Sequence, residues 1–149
     1  MIQINVVALG CAMLWNMGRS FRSDTTVVVI DDDSMACDAL TALIGALGVA
    51  VRAYSSAEAF LFADAGKLGD CLIIEANLPG MSGLQLIDQL RRQGDRTPII
   101  VLADDSDVPT AVKAMRIGAF DFFAKPVVER LLLTRVQEAL SLKQRQADD

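Results

Sequence analysis

The chain has 149 residues, 52% of them apolar, and a formal net charge of −5. That length supports one domain with a proper core and is short for two of ordinary size. The acidic balance, with no cluster of Lys or Arg, argues against a surface that grips nucleic acid directly and points to protein partners. There is no histidine, which excludes a histidine phosphocarrier, a histidine general base and any His-containing zinc site. Cys11, Cys37 and Cys71 are odd in number and far apart, a pattern of buried thiols in a reducing, cytoplasmic setting rather than a disulfide framework.

Residues 1–24 read as a loosely ordered N-terminal extension. Positions 2–18 carry no charge, but Gln3, Asn5 and Asn16 interrupt the apolar residues, and Arg19 and Arg22 follow the stretch instead of preceding it. A membrane helix needs about 20 predominantly apolar residues and a secretory signal needs its positive charge first, so neither is expected. Met13 and Met17 are alternative starts leading directly into the domain.

From Thr25 onward, strand-like and helix-like periods alternate. Thr26–Ile30 is a continuous apolar run, and Ala36, Leu40, Leu43, Ile44 and Leu47 then recur at helical spacing before Gly48. Val49–Tyr54 is a half-polar edge strand, followed by a helix capped by Ser55 or Ser56 and containing Ala59, Phe60 and Phe62. Cys71–Ile74 is a central strand ending at Glu75. The turn Asn77-Leu78-Pro79-Gly80-Met81-Ser82-Gly83 leads to a helix marked by Leu84, Ile87 and Leu90. Pro98–Leu102 is the fourth strand. A helix capped by Asp107, with Val108, Ala111, Val112 and Met115 on one face, precedes a fifth strand at Ala119–Ala124. Val128, Leu132, Val136, Ala139 and Leu140 stripe the last helix, so the domain spans 25–142 and 143–149 is a polar tail. The Met and Phe side chains on helical faces are expected in the core.

Alternating strands and helices imply right-handed crossovers and a parallel sheet covered on both faces. Ligand chemistry in such sheets gathers beyond the carboxyl ends of the strands. That rule brings Asp31, Asp32, Glu75, Ala103, Asp104 and Lys125 to one place.

With an acidic pair after the first strand, Pro-Gly-Met-Ser-Gly after the third and Lys125-Pro126 after the fifth, residues 25–142 resemble the receiver domains of two-component response regulators. The resemblance implies an α/β, flavodoxin-like, doubly wound fold, with a five-stranded parallel sheet in the order 2-1-3-4-5 and five helices. It implies that Asp31 and Asp32 help to hold Mg2+, that Lys125 contacts phosphoryl oxygens, and that Phe122 is the aromatic switch residue. It further implies a signalling module, not an enzyme. Its partners would be a histidine kinase or another response regulator, met through the fourth helix, fifth strand and last helix, with a homodimer as a further option.

Two positions depart from the family pattern. Glu75, four residues before Pro79, stands where the family has its phosphoacceptor aspartate, and Ala103 replaces a Ser or Thr; Asp104 adds a charge beside them. Glutamate is longer by one methylene, about 1.5 Å, and misplacement by about 1 Å costs an in-line transfer roughly 100-fold. Losing the hydroxyl removes a hydrogen bond of about 1.5–3 kcal/mol to a charged acceptor. An inward Asp104 would add repulsion of up to a few kcal/mol against a phosphate. The longer Glu75 arm is instead expected to pair with the Lys125 ammonium. The leading expectation is a stand-alone, atypical receiver working by protein contact. The alternative is a conventional Mg2+-dependent phosphorelay receiver phosphorylated despite Glu75. A remote third reading is a small Mg2+-dependent phosphatase or hydrolase built on Asp31, Asp32 and Glu75.

Overall fold

The computed structural model describes residues 21–22, 24–64, 69–104 and 108–148. Five strands alternate with five helices: β1 (Thr26–Ile30), α1 (Ser34–Gly45), β2 (Ala50–Tyr54), α2 (Ala57–Asp64), β3 (Cys71–Glu75), α3 (Gly83–Arg92), β4 (Ile99–Ala103), α4 (Val108–Arg116), β5 (Asp121–Ala124) and α5 (Glu129–Asp148). All strand pairs are parallel and the order is β2-β1-β3-β4-β5, the flavodoxin-like arrangement expected from the sequence. The chain reverses its direction of winding between β1 and β3, and a crevice forms outside the carboxyl ends of those neighbours.

The strands look continuously apolar because successive side chains enter two different cores. Val28, Ile30, Leu72, Ile74, Ile99, Val101 and Ala103 pack on one face with Phe60, Leu86, Ile87, Leu90 and Ala114. Val27, Val29, Cys71, Ile73, Ile100 and Leu102 pack on the other with Leu40, Ile44, Leu132, Val136 and Leu140. Thus α2, α3 and α4 cover one face, and α1 and α5 the other.

Several expected boundaries move. The fifth strand starts at Asp121, not Ala119, because the Ala119 N–H donates to the Ala114 carbonyl and the Phe120 N–H to the Ile99 carbonyl before the ladder begins. The fourth starts at Ile99, since Pro98 has no N–H, although its carbonyl accepts from Leu72. Helix α5 runs through residues assigned to the polar tail, and Lys143 Nζ there donates to Thr97 Oγ1 at 2.9 Å. The Asp107 cap and residues 1–20, including Cys11, lie outside the described residues.

The expectation that helical Met and Phe residues are core fails in part. Phe60 is fully buried, but Phe62 is 93% exposed, Met35 79% and Met115 48%. On α4 the apolar stripe points outward: Val108 and Val112 are exposed and Ala114 is the buried residue. A helix laid on a sheet buries a narrow strip, and Ala114 occupies it here.

Candidate functional site

Three strand ends build the site. Asp31 follows β1 with its N–H donating to the Tyr54 carbonyl, and its Oδ1 accepts the Asp33 N–H at 3.0 Å. Asp33 in turn caps α1 by accepting the Met35 N–H at 3.0 Å. Glu75, the last residue of β3, is only 2% exposed, and its Oε1 accepts the Asn77 N–H at 3.3 Å. Lys125 follows β5, where its N–H donates to the Ala103 carbonyl at 2.7 Å and its peptide bond to Pro126 is cis.

The Lys125 ammonium joins the three. Nζ donates to Asp31 Oδ2 at 2.7 Å, lies 2.8 Å from Glu75 Oε2 and is 3.6 Å from Asp104 Oδ1. The Glu75 contact is a close ion pair between an ammonium and a buried carboxylate. Burial pushes the Glu75 carboxyl above its ordinary value, against the opposing pull of Lys125 and the Asn77 N–H. For Lys125, burial is the largest single influence and acts against the charge, yet Asp31 and Glu75 together outweigh it and hold the ammonium above its ordinary value.

The turn after β3 is fixed from several sides. Ser82 and Gln85 form a reciprocal capping box at the start of α3. Gly80 has φ +73°, a conformation favouring glycine. From α2, Glu58 Oε2 accepts the Met81 N–H at 3.0 Å. Sequence reasoning missed Glu58, since an exposed acid in the first turn of a helix reads simply as a dipole partner.

Gly83 permits the close return of α3 to β3: a Cβ there would collide with the Glu75 carbonyl oxygen and lie 3.1 Å from Ala76 Cα. Gly83→Ala should therefore cost about 1–3 kcal/mol by overpacking against backbone. Urea denaturation checks this, and an unchanged midpoint would mean that the turn yields freely.

Asp31, Glu75 and Lys125, singled out from sequence, meet at the Lys125 ammonium. Asp32 is exposed while its neighbour Asp31 is buried. Asp104 is 75% exposed and stays at the rim. Ala103 is buried, and Phe122 is half-buried against the same apolar face.

The model of the response regulator receiver domain family matches residues 27–137. The chain belongs to that family. Among curated relatives, it is 39% identical over 136 residues to the response regulator protein TmoT of Ectopseudomonas mendocina, covering 89% of this chain and 61% of that protein. It is 38% identical over 122 residues to TodT of Pseudomonas putida, covering 82% of this chain and 54% of the relative. The chain thus spans between about half and three fifths of the length of these regulators. A response regulator receiver protein from Pseudoalteromonas atlantica superposes with a TM-score of 0.72 at 36% identity, over 78% of this chain and 97% of that one.

Receiver domains of two-component response regulators are signalling modules that meet histidine kinases or other regulators, and they typically bind Mg2+ for phosphorylation. The three carboxylates expected as ligands, Asp31, Asp32 and Glu75, do not fit that ion as arranged. Among the described residues no three acidic or cysteine side chains come together closely enough to hold a metal. Asp32 is exposed, and Asp31 and Glu75 both face an ammonium. No described helix is long and apolar enough to cross a membrane.

Proposed function

We propose that this receiver is atypical: Glu75 occupies the phosphoacceptor position, its ion pair with Lys125 replaces phosphorylation, and the domain signals by protein contact. The supporting observation is the 2.8 Å approach of Glu75 Oε2 to Lys125 Nζ. The carboxylate reaches the cation that would otherwise meet a phosphoryl oxygen. Ala103, which carries no hydroxyl, withdraws the usual link from the pocket to Phe122, so the domain is held in one signalling state. The partner surface in this reading is α4, β5 and α5, where Val108, Val112 and Met115 are exposed. The retention of Asp31, Asp32 and Lys125 at the family's positions favours a second reading, a conventional Mg2+-dependent phosphorelay receiver that tolerates Glu75.

Intact mass after incubation with magnesium and acetyl phosphate separates the two. Wild-type protein should gain no phosphate. Glu75→Asp, which retracts the carboxylate by about 1.5 Å, should gain partial, short-lived phosphate because Ala103 still lacks a donor. A stoichiometric adduct on the wild type would return the protein to the conventional class.

A further inference from the structure

The receiver fold implies a divalent cation beside the acidic residues, and these side chains are arranged around a different positive charge. Both oxygens of Asp31 are engaged, Oδ1 by the Asp33 N–H at 3.0 Å and Oδ2 by Lys125 at 2.7 Å. Both oxygens of Glu75 are placed similarly, Oε1 on the Asn77 N–H at 3.3 Å and Oε2 against Lys125 at 2.8 Å. Asp104 approaches the same ammonium at 3.6 Å from the rim.

We propose that Lys125 is the resident counter-ion of this pocket, and that its pairing with Asp31 and Glu75 excludes a divalent cation from the place receivers ordinarily give to magnesium. The argument rests on the reading that Glu75 stands at the acceptor position. Magnesium requires near-octahedral oxygen ligands at about 2.0–2.1 Å and gives up its water reluctantly. To enter here it must draw two buried carboxylates away from the ammonium, and the displaced Lys125, only 19% exposed, would remain beside it as a like charge. The extra methylene of Glu75 is decisive, because a shorter acid would end about 1.5 Å further from Nζ and leave an oxygen free to bind an ion.

Isothermal titration calorimetry with Mg2+, and separately Mn2+, into the wild-type chain and Glu75→Asp tests this. The wild type should show no saturable binding in the low millimolar range. Glu75→Asp should bind at least tenfold tighter and gain thermal stability on adding the ion. Lys125→Met gives a second arm: if it folds, it too should gain affinity, and if it folds only when the ion is present, that dependence is itself the expected result. Equal behaviour of wild type and Glu75→Asp, whether both bind or neither does, overturns the proposal. Magnesium binding by a wild-type protein that takes up no phosphate would overturn this inference and leave the functional reading standing. Phosphate uptake by the wild type would overturn that reading itself.

Discussion

Lys125→Met should destabilise the domain by about 3–5 kcal/mol, the cost of leaving buried ions without their partner. Asp31 and Glu75 are each 2% exposed and both lie within 2.8 Å of the ammonium, so its removal strands two carboxylates that solvent hardly reaches. The loss should depend on pH with a definite sign. Burial already holds the Glu75 carboxyl above its ordinary value while Lys125 opposes that rise, so losing Lys125 moves the folded-state pKa further up. An acid whose pKa is higher in the folded state supports folding fully below its unfolded pKa, and that support fades as pH rises through the folded value. The difference between variant and wild type in urea denaturation should therefore shrink on acidification. Adding Glu75→Gln should recover part of the deficit at neutral pH. A small, pH-independent difference would mean that water compensates both carboxylates.

Alkaline solution should remove stability on the order of 4 kcal/mol through Cys71 alone, whose buried thiol is pushed up to about 12. This thiol is wholly buried at the start of β3, and burial pushes it up from 9.0 to about 12, with Asp70 adding to the rise. The unfolded chain would ionise near the ordinary value while the folded one keeps its proton. The stabilising contribution is thus complete below pH 9.0 and is lost progressively as pH rises through about 12. Urea denaturation at a series of alkaline pH values should show a steep loss for wild type and a shallower one for Cys71→Ala. Iodoacetamide should leave Cys71 unmodified until the domain unfolds. Parallel pH profiles for the two proteins would show that the thiol plays no part.

The central architecture was legible because β1, β3 and β4 are buried on both faces and so carry continuous apolar runs, as in Val27-Val28-Val29-Ile30 and Cys71-Leu72-Ile73-Ile74, with Thr26 and Glu75 at strand ends the exceptions. Where pairing begins was less legible: Ala119 and Phe120 are as apolar as a strand, but their N–H groups finish the α4 turn and reach β4. Helix faces misled for a different reason. Val108, Val112 and Met115 have core spacing, yet on α4 the sheet-facing place is taken by Ala114. At the site, the Glu75–Lys125 pairing could be anticipated from charge and strand ends. That Asp31 is buried and Asp32 exposed could not, because nothing in two identical adjacent residues says which one turns inward. Glu58 was invisible, since its partner is a backbone N–H and leaves no mark in residue identity.

The Lys125–Asp31 bond joins residues 94 positions apart, and together with Glu75 it straps the last strand to two earlier ones across the top of the sheet. A contact of that sequence separation meets its loop-closure cost before it forms, so the strap is expected to close late in folding and to stabilise the finished domain more than the transition state. Interactions of that kind act on the rate of escape. Lys125 should therefore govern how long a folded molecule lasts: its loss would quicken unfolding many-fold and leave the refolding rate nearly untouched.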